Sequence, residues 1–190
     1  MTHRRTPSIL LAFALMAALS AMPAAQVEPG KSLAPYVPTP QDVVDRMLKL
    51  AEVGPNDVVY DLGCGDGRIV ITAAKQYGAR GVGVDLDPER IRESEANAKK
   101  AGVQDRVTFK LQDATTVDVS DATVVTLYLL SASNLKLRPM LTKQLEPGAR
   151  IVSHAFSMGD WEPAKTDSFQ DAQGMQRTLY LWKADGKVRP

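Results

Sequence analysis

Apolar residues fall in short continuous runs, and between them lie longer stretches with helical spacing. Val58-Val59-Tyr60-Asp61-Leu62, Gly81-Val82-Gly83-Val84-Asp85, Val107-Thr108-Phe109-Lys110-Leu111, Thr123 to Leu130 and Ile151-Val152-Ser153 read as five strands. Runs this apolar, alternating with helices, predict a parallel sheet covered on both faces. The helices carry their own punctuation. Asp87-Pro88 supplies an N-cap and a first-turn proline for a helix to about Lys100, with Glu95 and Lys99 on its exposed face, that stops at Ala101-Gly102. Thr39 with Asp42 reads as a capping-box-like start, with Pro40 at the first helical position, for a helix to about Glu52 before Gly54-Pro55. Leu145-Glu146-Pro147-Gly148 turns another helix into the fifth strand, and Met175 to Trp182 alternates in polarity like a terminal antiparallel strand.

The first strand delivers Asp61 into Gly63-Cys64-Gly65-Asp66-Gly67-Arg68, and Ile69 to Tyr77 continues as a buried helix. A glycine loop between a strand's carboxyl end and a helix amino end is where open α/β sheets bind ligands. The spacing departs from the dinucleotide fingerprint G-x-G-x-x-G, whose third glycine would fall on Arg68. An acid two places before the first glycine repels a pyrophosphate and suits a ligand carrying an ammonium and a sulfonium. Some twenty residues on, Asp85 ends the second strand where a ribose-binding acid belongs, and two vicinal hydroxyls can donate to one carboxylate. Cys64, inside the loop, reads as a cofactor contact rather than a nucleophile.

The run Asp61-Leu62-Gly63-Cys64-Gly65-Asp66-Gly67 resembles motif I of the class I S-adenosyl-L-methionine-dependent methyltransferases. The resemblance implies a doubly wound, seven-stranded, mostly parallel sheet with the last strand antiparallel. It extends from about Asp42 to Trp182 and leaves no room for a separate substrate domain. It also implies a cofactor site made of Asp61, Gly63, Cys64, Gly65, Gly67, Asp85 with Leu86, and Asp113 with Ala114. Asp113 matches the acid that contacts the adenine amino group, although an aspartate opening Asp113-Ala114-Thr115-Thr116 is also a good turn former. Pro35-Tyr36-Val37-Pro38-Thr39 and Asp66-Gly67-Arg68-Ile69-Val70 are similar to a small family that includes the mitochondrial lysine methyltransferases acting on the ATP synthase c subunit. That resemblance folds Tyr36 and Thr39 over the cofactor's methionine end, against the simpler reading of an ordered linker.

After the fourth strand, DNA adenine methyltransferases carry Asn or Asp followed by Pro-Pro and an aromatic. This chain has Thr126-Leu127-Tyr128-Leu129-Leu130, so that grip on a flipped base is missing. Tyr128 is the candidate catalytic residue, orienting an incoming amine by its hydroxyl or ring face, or else a core aromatic.

The amino terminus is a separate object. Arg4 and Arg5 precede the uncharged run Ile9 to Met22 and the small residues Pro23-Ala24-Ala25, the three regions of a secretory signal peptide. The expected organisation is therefore a signal over 1–25, a segment over 26–41 leading across the cofactor site, and a methyltransferase domain over 42–190. Export to a periplasmic or extracellular space follows, with an uncleaved inner-membrane anchor as the alternative. Membrane contact is expected only through this apolar run.

Composition narrows the acceptor. The chain holds 23 Lys and Arg against 22 Asp and Glu, and residues 1–25 remove two arginines and no acid. A balance so near zero gives no electrostatic footprint for nucleic acid. One cysteine excludes an internal disulfide, and His154 as the one histidine beyond the signal cannot build a histidine metal cluster. The expected function is methyl transfer to a nitrogen acceptor, a protein lysine first and a small molecule second. A non-catalytic periplasmic binder of the same cofactor is the competing class, and a nicotinamide oxidoreductase is opposed by Arg68. The sequence leaves the oligomeric state open.

Overall fold

The computed structural model describes residues 33–190. The predicted signal peptide lies outside the described residues. Eleven elements follow in the order α1 (Gln41–Leu50), β1 (Val58–Leu62), α2 (Arg68–Tyr77), β2 (Arg80–Asp85), α3 (Pro88–Ala101), β3 (Val107–Leu111), β4 (Val124–Leu127), α4 (Ser131–Gln144), β5 (Arg150–His154), β6 (Lys165–Gln170) and β7 (Gln176–Lys183). The strands form one sheet in the order β3-β2-β1-β4-β5-β7-β6, parallel from β3 to β5, with β7 antiparallel to both of its neighbours. This is the expected seven-stranded, doubly wound α/β sheet.

Strand alternation divides the core in two. Val59, Val124, Val152 and Leu179 pack with α1, α2 and α3, while Val58, Tyr60, Leu62, Val125, Leu127 and Ile151 pack with Leu137 and Leu141 of α4. Both faces of the central strands are therefore apolar, which is why their sequence shows no alternation. The strand order reverses between β1 and β4, so their carboxyl ends part and leave a crevice there.

The predicted cap of α3 is present: the Asp87 carboxylate accepts the Glu89 amide at 2.8 Å ahead of Pro88. The capping box at α1 is not. Pro40 occupies the N-cap with no side-chain hydrogen bond, Thr39 is buried outside the helix, and the Asp42 carboxylate accepts the Ala172 amide at 2.6 Å. Tertiary partners claimed both residues. The fourth strand ends at Leu127 rather than Leu130, because its ladder with β1 and β5 closes at Leu62 and Ser153. The expected single terminal strand is a hairpin of β6 and β7, and β6, with no fully buried residue, carries no apolar run in its sequence.

Candidate active site

A cavity of about 440 Å³ opens at the carboxyl ends of β1, β2 and β4. Its floor is the glycine loop. The amides of Gly63 and Cys64 donate to the Val84 carbonyl at 2.8 and 3.0 Å, and the Gly65 amide donates to the Asp85 carboxylate at 2.9 Å. The second Asp85 oxygen accepts the Asp87 amide at 3.0 Å. A carboxylate offers about four acceptor positions, so Asp85 retains capacity for a pair of hydroxyls while holding the loop in place.

Asp61 is the unusual group. It is 3% exposed at the end of β1, and its hydrogen-bond partner is the Thr126 hydroxyl on β4 at 2.8 Å. Burial, and then the nearby Asp85 and Asp66 carboxylates, raise its pKa to about 7 in spite of that bond. A buried acid that faces a cavity with one hydroxyl partner among the described residues is suited to a cationic group. Cys64 is a thiol, since burial and the Asp61 and Asp85 charges push its pKa up.

The segment from Leu33 to Thr39 crosses the cavity as a strap. Ser133 Oγ donates to the Leu33 carbonyl at one end. At the other, Arg68 Nη1 donates to the Thr39 carbonyl at 2.7 Å while its Nε donates to Asp66 at 2.9 Å, stapling strap to loop. In the middle, Tyr36 lies over Gly65: a Cβ built there would sit 2.5 Å from the tyrosine ring. Arg90 covers Tyr36 with its guanidinium 4.7 Å from the ring centroid. Gly65, a member of the cofactor site that the resemblance implies, has the Tyr36 ring as its neighbour.

Ten of the predicted residues line one cavity: Tyr36, Thr39, Asp61, Gly63, Cys64, Gly65, Asp85, Leu86, Ala114 and Tyr128. Two of the predicted cofactor residues are placed otherwise. Gly67 caps α2 with φ +78, and a Cβ there would meet Phe109 and Ser94 at 2.7 and 2.8 Å, so its work is close packing of loop on helix and sheet. Asp113 turns its carboxylate onto Thr115, accepting both the amide and the hydroxyl at 2.8 Å, and is absent from the cavity lining. Its neighbours Gln112 and Ala114 line the wall instead. Sequence reasoning passed over Arg68, Arg90 and Leu129. Arg68 stood in the quoted Asp-Gly-Arg run and Leu129 beside Tyr128, but their roles depend on where the strap and β4 end.

Tyr128 sits past the end of β4 on the cavity wall and stacks on His154, with ring centroids 4.0 Å apart. His154 is fully buried, and burial followed by the Arg177 charge lowers its pKa to about 4, so the imidazole is neutral. Among the described residues no group of three or more His, Cys, Asp or Glu side chains is placed to hold a metal.

The arrangement fits S-adenosylmethionine on three observations. The glycine loop lines a cavity of about 440 Å³, Asp85 has free acceptor positions, and Asp61 is a buried acid suited to the cofactor's cationic amino acid end. The comparisons agree. A family model described as the ANTKMT methyltransferase domain matches residues 61–165. A protein-lysine N-methyltransferase of Saccharolobus islandicus is 50% identical over 149 residues, which are 78% of this chain and 92% of that one. The human lysine N-methyltransferase of the ATP synthase c subunit is 32% identical over 68% of this chain, and the match spans 54% of its own length. A solved RNA methyltransferase from Salinibacter ruber, in complex with S-adenosyl-L-homocysteine, is 53% identical, covers 80% of this chain and 97% of its own, and superposes with a TM-score of 0.75. With its glycine loop, the acids Asp61 and Asp85 beside it and its strand order all in place, the chain belongs to the ANTKMT methyltransferase family of S-adenosylmethionine-dependent enzymes.

Proposed function

We propose that this enzyme methylates a lysine side chain of a protein. The observation that carries the reading is the 50% identity, over nearly the whole of its length, to the Saccharolobus protein-lysine N-methyltransferase. The name of the Salinibacter relative favours RNA as a second reading. The charges at the cavity argue against it. Arg68 is paired with Asp66, and Arg90 with Glu89 and Glu93, so neither guanidinium is free to track a phosphate backbone. The exposed side chains Tyr36, Val37 and Leu130 at or beside the cavity wall are apolar or aromatic.

When bound, the cofactor supplies an electrophilic methyl group on a sulfonium. Asp61, Gly63, Gly65, Asp85, Leu86 and Ala114 would hold it, with Tyr36 and Thr39 of the strap above. The protein's remaining task is to present a neutral amine. A lysine pKa near 10.4 makes deprotonation at pH 7 cost about 4 to 5 kcal/mol. A partly apolar wall lowers that cost by disfavouring the ammonium, and alignment contributes the rest. Tyr128 stands on the cavity wall with its ring fixed from behind, where it orients the acceptor amine.

The test uses labelled S-adenosylmethionine and a detergent-solubilised cell extract as acceptor. Label that survives ribonuclease, is lost to protease and appears in methylated lysine on acid hydrolysis supports the reading. Ribonuclease-sensitive label overturns it in favour of RNA.

We further propose export, supported by Arg4, Arg5 and the uncharged run Ile9 to Met22. Fractionation with protease accessibility of the intact cell tests this. A domain protected with the cytoplasmic fraction would reject export and leave an inward-facing form.

A further inference from the structure

His154 has no exposed surface, and among the described residues neither ring nitrogen has a hydrogen-bond partner. Buried nitrogens without partners are a cost that an aliphatic side chain would avoid. What the imidazole contributes is a flat face. Tyr128 stacks on it with centroids 4.0 Å and planes 27° apart, and Phe156 lies 6.4 Å from the same tyrosine.

The sheet register explains the pairing. Leu127 of β4 aligns with Ser153 of β5, so the next residues on the two strands, Tyr128 and His154, come side by side. His154 is still in the ladder, aligned with Leu179 of β7, whereas β4 has ended before Tyr128. Beyond it Ala155 takes a φ of 66°, and its amide donates to the Thr178 carbonyl at 2.8 Å. One ring therefore belongs to a fixed strand and the other to a segment that has left the sheet and lines the cavity.

We infer that His154 is a positioning residue, setting the ring plane of Tyr128 at the methyl-acceptor side of the cavity. The inference rests on the reading that Tyr128 faces the acceptor. A tyrosine beyond its strand end has rotamer freedom that a stacked ring behind it removes, and transfer in line with a departing sulfonium is sensitive to such alignment. His154 itself does not line the cavity, whereas Tyr128 does.

The experiment compares His154→Phe, which keeps a flat ring and discards the nitrogens, with His154→Leu and His154→Met, which remove the ring. Protein labelled with 3-fluorotyrosine reports the Tyr128 environment by fluorine NMR, the signal being assigned by its loss in Tyr128→Phe. Transfer of labelled methyl to the solubilised extract gives the rate, and calorimetry gives cofactor affinity. The expected result is that His154→Phe keeps the Tyr128 signal and the rate within about twofold, while the ring-less variants shift that signal and lower the rate about tenfold or more at unchanged cofactor affinity. Two ring-less variants keep the comparison available if one fails to fold. An unmoved signal and rate in the ring-less variants overturn the inference, as does a His154→Phe protein as impaired as they are. Tyr128→Ala with unchanged turnover removes the reading of Tyr128 without touching His154, and the inference falls with it.

Discussion

The Asp85 carboxylate accepts the Gly65 amide at 2.9 Å, so the acid expected to bind a ribose also holds the glycine loop in place. Asp85→Ala is therefore expected to act on both. Losing the Gly65 and Asp87 bonds should cost about 1 to 3 kcal/mol of stability and remove most S-adenosylmethionine binding. Denaturant unfolding beside calorimetry measures the two effects. Binding at wild-type affinity would withdraw the ribose assignment, and unchanged stability would withdraw the buttressing role.

Asp61 predicts a pH dependence. Its pKa near 7 in the folded protein exceeds the ordinary 3.8, so the folded state keeps a proton that the unfolded chain has released. Stability contributed through this group is greatest below about pH 4 and declines as pH rises toward 7. Cofactor affinity runs the other way, because the cationic end favours the ionised acid. It should rise with pH by up to about tenfold per unit below 7 and level off above. Asp61→Asn should flatten both profiles and weaken binding. A wild-type affinity independent of pH between 5 and 8 would falsify this role.

Gly65→Ala places a methyl group against the Tyr36 ring in a backbone conformation of φ +53. The left-handed conformation costs an alanine about 1 to 2 kcal/mol, and the collision displaces the strap. S-adenosylmethionine binding should fall sharply in a folded protein. Adding Tyr36→Ala removes the collision and should restore part of the stability but not the binding. Full recovery of binding in the double variant would mean that Tyr36 only blocks the site and makes no contact with the cofactor.

Asp113→Ala separates a turn residue from an adenine contact. The Thr115 amide and hydroxyl lose their acceptor, for a stability loss of about 0.5 to 1.5 kcal/mol. Cofactor affinity should stay within about twofold of wild type, since the carboxylate does not line the cavity. A tenfold loss on calorimetry would return Asp113 to the site.

Features carried by a local pattern were legible in the chain alone. Val58 to Leu62 followed by glycines at 63, 65 and 67 specifies a strand, a turn with positive φ and a helix, because only glycine takes those conformations cheaply. Asp87-Pro88 specifies a helix start because the carboxylate accepts a first-turn amide and proline has its φ fixed near the helical value. Asp61 and Asp85 were legible because a strand end followed by a turn fixes where its last side chain stands. Long-range packing settled the remainder. Thr39 and Asp42 form a good capping box on paper, yet Asp42 bonds to Ala172, 130 residues away, and the Thr39 carbonyl to Arg68. Asp113 lies two residues past the end of β3, where the hydroxyl and amide of Thr115 reach its carboxylate. The stack of Tyr128 on His154 depends on the β4–β5 register, which no window of sequence contains. Local conformation is settled by backbone sterics within a few residues, whereas the partner a polar side chain finds is settled by competition among groups that only the completed sheet brings together.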